Sequence, residues 1–152
     1  MVEVPSAALL ARQLTSEVDF ASIGTNDLTQ YTMAADRQLG ALAELNDPWQ
    51  PAVLHLVKAT CDGGAAAQGG PKPVGVCGEA AADPALAVVL VGLGVATLSM
   101  NRRALPAVAA ILRTVDLPAA QRLAQLALGA GSAEHARSAV RAELPELDVF
   151  GL

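Results

Sequence analysis

Apolar residues recur at Leu9, Leu10, Leu14 and Val18, close to the 3.6-residue period of an amphipathic helix, and predict one over Ser6–Val18. Short apolar runs at Val2–Val4, Phe20–Ile23, Val74–Cys77 and Thr97–Met100 read as strands. Pro5 closes the first run and Gly24 the second. Val53, Leu54, Val57 and Thr60 keep helical register over Ala52–Cys61, and Asp62-Gly-Gly is the expected stop. Asp83 and Pro84 form an N-cap and first-turn proline for a helix over Asp83–Val91. Leu105–Val115, Pro118–Leu128 and Ser132–Leu144 carry further helical patterns, and the tail Pro145–Leu152 reads as irregular. Strands alternating with helices predict an α/β fold, a parallel sheet covered by helices.

Composition narrows the function classes. Of 152 residues 53% are hydrophobic, 16% charged and 3% aromatic, so the core is aliphatic. A net charge of −5 and the scarcity of aromatics disfavour both duplex binding and base stacking, so no nucleic-acid partner is expected. Cys61 and Cys77 lack the clustering of a zinc site or a disulfide scaffold. The opening Met-Val-Glu-Val-Pro has no signal-peptide character, and a reduced cytoplasmic protein is the expectation. Pro84–Met100 is free of charge and approaches the length of a membrane span. Its Val-Gly-Leu-Gly-Val interruption favours instead a buried helix, a glycine stop and a strand.

Parallel βα folds bind ligands at the C-terminal ends of their strands. There the sequence places Glu3, then Asn26 and Asp27, then Cys77-Gly-Glu, then Ser99-Met-Asn. Glu3 and Asp27 suit Mg²⁺, which takes one or two carboxylates and completes its shell with water and substrate oxygens. Equally, Asp27 suits a helix cap and Glu3 a solvated acid. Cys77, between glycines, suits a nucleophile or general acid, or else a small buried hydrophobe. Arg37 suits a phosphate or carboxylate clamp, or a surface ion pair. Cys61, His55 and His135 fall within helices and read as inert. The stretch Asp62–Gly70 lacks the Gly-Lys-Ser/Thr ending of a phosphate-binding loop and reads as a connector. Together these residues point to metal-assisted work on a small anionic substrate.

Longer motifs add a resemblance. Asp-Phe-Ala-Ser-Ile-Gly-Thr-Asn-Asp-Leu-Thr-Gln-Tyr-Thr (Asp19–Thr32) resembles the signature of phosphoenolpyruvate (PEP)-utilising enzymes. Gly75-Val-Cys-Gly-Glu79 resembles their reactive-cysteine motif, and Met1–Pro5 their metal-ligand strand. Tyr31–Arg37 and Pro51–Leu54 resemble the phosphotransferase branch that serves bacterial sugar uptake; pyruvate phosphate dikinase and PEP synthase are the neighbouring branches.

The resemblance implies a (β/α)8 TIM barrel binding PEP and Mg²⁺ at its C-terminal rim. It implies Glu3 and Asp27 as Mg²⁺ ligands, Asn26 and Arg37 as substrate-phosphate contacts, and Cys77 as the acid that protonates the enolate to give pyruvate. A phosphohistidine domain and a carrier protein would receive the phosphoryl group. Residues 1–152 would then be the last four βα units, about half the barrel. The motifs fall within residues 1–101, a helical stretch covers residues 102–144, and the tail covers residues 145–152. Two open sheet edges predict a homo-oligomer. Alone, this half is expected not to complete phosphotransfer. The alternative is a non-catalytic oligomerisation or regulatory remnant.

Overall fold

The computed structural model describes residues 1–152. Helices α1 (Pro5–Leu9) and α2 (Ala11–Ser16) precede strand β1 (Ala21–Gly24), which runs directly into α3 (Thr25–Met33). A 3-10 turn at Gly40–Leu45 leads to α4 (Pro51–Ala65) and β2 (Val74–Cys77). Then come α5 (Glu79–Ala82), α6 (Pro84–Gly92) and β3 (Thr97–Ser99). Four helices close the chain: α7 (Leu105–Leu112), α8 (Leu117–Leu128), α9 (Ala133–Ala142) and α10 (Glu146–Phe150).

The three strands form one parallel sheet in the order β1-β2-β3, so the α/β expectation holds. The expected first strand, Val2–Val4, is reduced to a single parallel bridge between Val2 and Ile23. Pro5 opens α1 with Val4 as its N-cap, which takes the backbone out of the sheet after one pairing. The last strand is likewise shorter than the apolar run that announces it.

Register gives the sheet two different faces. Ala21, Ile23, Val74 and Val76 point into a core shared with α4, α6 and α8. Ser22, Gly24, Gly75, Cys77, Thr97 and Ser99 alternate with them and line the opposite face, where every side chain is small or polar. Helix α6 is buried all round from Ala85 to Leu90, packed against α7 and α8, which explains its unbroken hydrophobicity. No helix is long and apolar enough to cross a membrane.

Three local expectations are corrected. The Ser6–Val18 helix breaks at Leu10, and its inward residues are Ala8, Ala11 and Thr15. Leu9, Leu10, Leu14 and Val18 face outward, Leu9 with 71% of its surface exposed. Small residues win the inner face because α4 approaches closely: a Cβ on Gly63 would lie 2.7 Å from both the Ala11 Cβ and the Arg12 nitrogen. For the same reason Asp62-Gly-Gly does not stop α4, since Gly63 and Gly64 serve as spacers against α2 and Lys72 rather than as a terminator. The tail is partly helical, with Leu147 buried and Arg141 donating to the Leu152 carbonyl at 2.7 Å.

Candidate functional site

The pairing that aligns Gly24, Cys77 and Ser99 sets the C-terminal ends of the three strands side by side. Adjacent strands lie about 4.8 Å apart, so groups above these residues are neighbours. Glu3 is one of them. Val2 donates its N–H to the Ser22 carbonyl at 2.8 Å and accepts from the Gly24 N–H at 3.0 Å. This fixes Glu3 beside the strand end, and its half-buried side chain lies across Gly24. The Cys77 side chain shares that face, with Sγ 3.5 Å from the Ile23 carbonyl oxygen.

Helix α3 starts at the same edge. Its N-cap is Gly24, so no side chain satisfies the N–H groups of the first turn. Such a terminus favours anions. Thr25, buried at this junction, donates its hydroxyl to the Cys77 carbonyl at 3.5 Å and ties α3 to β2. Asn26 is exposed in the first turn and Asp27 is half-buried beside it. Asp27 makes no capping bond and instead faces Arg37, with Oδ1 3.6 Å from Nη1. Arg37 reaches this position because the chain reverses after α3 through Ala34, which has a φ of 50°. The Arg37 N–H then donates to Gln30 Oε1 at 3.4 Å.

The candidate residues thus fall in two groups at the C-terminal end of the sheet, Glu3 and Cys77 on the strand face and Asn26, Asp27 and Arg37 on and just after α3. His55 and His135 are exposed on α4 and α9, outside this edge. Sequence reasoning missed Gly24 and Thr25, which shape the junction; their signal is their place between the β1 run and Asn26-Asp27. A cleft of about 530 Å³ lies among the C-terminal helices, lined by Val115, Asp116, Arg122, Leu123 and Glu143, and none of its lining residues belongs to the edge.

Glu3 and Asp27 are the carboxylates at this end of the sheet that could hold Mg²⁺. Two carboxylates suffice for an ion that completes its shell with water and substrate oxygens. The absence of any group of three or more His, Cys, Asp or Glu side chains excludes only an all-protein cage. Gly24 supplies the matching relief, a bare backbone position that the Glu3 carboxylate fills.

The two thiols differ by environment. Burial, with a smaller contribution from the Asp62 carboxylate, pushes the Cys61 thiol up to about 12; Lys58 opposes this only in part. The raised value keeps Cys61 neutral, and its thiolate appears only as the pH climbs towards that value. Cys77 is half-exposed. A thiol reagent at pH 8 is expected to modify Cys77 first and to reach Cys61 only after denaturation. Cys77→Ser should remove the fast phase and Cys61→Ala should leave it intact. Two fast phases in the folded protein would contradict this.

Residues 1–117 match the family profile described as PEP-utilising enzyme, PEP-binding domain. A phosphoenolpyruvate-protein phosphotransferase of Streptomyces coelicolor is 56% identical over 144 residues, which cover 95% of this chain and 25% of that protein. A multiphosphoryl transfer protein of Xanthomonas campestris is 49% identical over 91% of this chain and 16% of its own length. A phosphoenolpyruvate-protein phosphotransferase of Haloferax volcanii is 48% identical over 86% of this chain and 22% of its own length. The chain thus spans a quarter or less of the length of these relatives. It belongs to the family of phosphoenolpyruvate-utilising enzymes, matching their PEP-binding domain.

Proposed function

We propose that this chain is the C-terminal half of a PEP- and Mg²⁺-binding barrel, belonging to a cytoplasmic phosphotransferase that passes the phosphoryl group of PEP to a protein histidine and so feeds sugar uptake. The observation that carries this reading is the strand-end register. It sets the Glu3 carboxylate and the Cys77 thiol on one small, polar sheet face beside the uncapped start of α3. The sequential parallel order of the strands is also what neighbouring barrel staves require.

The roles follow from chemistry. Glu3 and Asp27 hold Mg²⁺, which when bound neutralises charge on the phosphoryl oxygens. Arg37 and the α3 N–H groups contribute positive potential to the same oxygens, and Asn26 adds a donor. Arg37 now pairs with Asp27, so each orients the other until substrate arrives. Cys77 supplies the proton that the enolate carbon takes up as pyruvate forms. A histidine on a separate domain accepts the phosphoryl group and hands it to a carrier protein. The activity that names the Streptomyces and Haloferax relatives supports this assignment.

The half barrel also accounts for two surface features. The Val2 side of the sheet is an unpaired edge, and Leu9, Leu10, Leu14, Val18 and Phe20, in the segment between Val2 and β1, are exposed. Both suit a further βα unit or a second copy of the chain. Turnover requires the complementary half, so the isolated chain binds without completing the reaction.

Calorimetric titration with PEP tests the reading. Weak Mg²⁺-dependent binding is expected, with a Kd on the order of 1 mM, or about −4 kcal/mol. It should vanish without Mg²⁺ and in Asp27→Ala. Absence of heat at several times that concentration would sink the claim that this half site is assembled.

A further inference from the structure

We propose that Gly24 is a positioning residue, kept bare so that the Glu3 carboxylate can lie across the strand end and face the metal. The inference rests on the Mg²⁺ reading above and assigns to it a residue with no ligand atom of its own.

Gly24 has φ −89° and ψ 91°, a backbone any residue adopts, so its conformation does not call for glycine. Space does. A Cβ there would lie 2.8 Å from Glu3 Cγ, 2.8 Å from Glu3 Oε1 and 3.3 Å from Glu3 Cδ, and these are the three nearest atoms. The first two distances are ones that real Cβ atoms essentially never show, and the third is tighter than most of their contacts. Three other tight glycines differ in what they would strike. Gly63 would meet the backbone of α2, Gly64 the Lys72 carbonyl, and Gly92 the backbone of α8. Gly63, Gly64 and Gly92 thus set distances between elements, whereas Gly24, like Gly75 against the Thr97 hydroxyl, sets the place of one side chain.

The Glu3 backbone cannot retreat freely. Val2 is bonded to both Ser22 and Gly24 through the bridge that anchors the N-terminus to β1. A methyl group at position 24 would leave that bridge in place and push only the flexible end of Glu3 aside. The carboxylate would then leave the face it shares with Cys77. The fold should survive while the ligand geometry does not.

Mn²⁺ binding, followed by electron paramagnetic resonance on the full chain with the metal alone, tests this together with thermal melting. Gly24→Ala should weaken Mn²⁺ binding roughly tenfold or more, the usual consequence of disturbing a group that orients a ligand. Its melting temperature should stay within about 3 °C of the wild type. In a Glu3→Ala background the same substitution should have no further effect on the metal, because the carboxylate it displaces is gone. Undiminished binding by Gly24→Ala overturns the proposal, and so does an equal loss in both backgrounds. Collapse of the fold in Gly24→Ala would make Gly24 a packing residue and overturn it as well. A wild type that binds no Mn²⁺ would instead overturn the Mg²⁺ reading and take this inference with it.

Discussion

Gly92→Ala is expected to destabilise the chain by about 3 kcal/mol, at the upper end of the cost of overpacking a core. Gly92 ends α6 where that helix crosses α8. A Cβ there would overlap the Ala120 carbonyl oxygen, lie 2.5 Å from the Ala120 carbonyl carbon and come within 3.0 Å of the Ala124 Cβ. Ala120 and Ala124 are themselves buried, and a carbonyl inside a helix cannot rotate away. Relief therefore requires α6 and α8 to separate, which opens the core around Leu86, Leu90 and Leu123. For a domain with about 5–15 kcal/mol in total, such a loss is a large fraction of its stability. At this chain length it corresponds to a fall in Tm of roughly 6–12 °C. Gly129→Ala is the control. Its nearest neighbour would be the Gln125 carbonyl oxygen at 3.4 Å, ordinary contact, so its Tm should stay close to the wild type. Equal melting of the two variants would show that α6 and α8 can slide past the added methyl.

The contrast between these glycines also marks what a sequence can disclose. Asp83 and Pro84 announce the start of α6, and the structure shows Asp83 accepting from the Ala85 and Leu86 N–H groups. That signal is local, so it survives any tertiary arrangement. The strands β1 and β2 are legible for a similar reason, as short apolar runs bounded by Gly and Pro. The outward turn of Leu9, Leu10, Leu14 and Val18 is not legible, because it depends on how closely α4 approaches α2. Nor is the passage of α4 through Gly63 and Gly64, since a glycine that spaces helices looks in sequence like one that ends them. At the candidate site, Glu3, Asn26, Asp27, Arg37 and Cys77 stand out as residue types at strand ends. Their association needs the register between β1 and β2, the bridge at Val2 and the reversal at Ala34, and pairing along the chain does not state these.

Trp49→Ala should cost about 3–5 kcal/mol, the range for removing a large buried aromatic. Trp49 is fully buried, and its indole links three segments of the chain. Its Nε1–H donates to Asp83 Oδ2 at 2.9 Å, while Oδ1 of the same carboxylate caps α6. Its backbone N–H donates to Asp47 Oδ1 at 3.0 Å, and Asp47 Oδ2 pairs with Arg137 of α9 at 2.7 Å. The Arg137 guanidinium lies 5.8 Å from the ring centroid, within cation–π range. One side chain thus fixes the end of the segment that carries Arg37, the start of α6 and a C-terminal helix. Trp49→Phe separates the contributions. It keeps most of the apolar contact but leaves Asp83 Oδ2 without its donor, and should cost about 1–3 kcal/mol. Arg137→Ala should cost less, about 1 kcal/mol or below, because its side chain is 41% exposed and water screens the pair with Asp47. Trp49 is the only tryptophan, so wild type and Arg137→Ala report through its fluorescence, blue-shifted when folded and red-shifted when the ring meets water. Circular dichroism serves the two Trp49 variants. Should Trp49→Ala lose no more than Arg137→Ala, the ring would be filling space and not joining these segments, and the placement of Arg37 would have to depend on Ala34, the Gln30 hydrogen bond and the Asp27 pair.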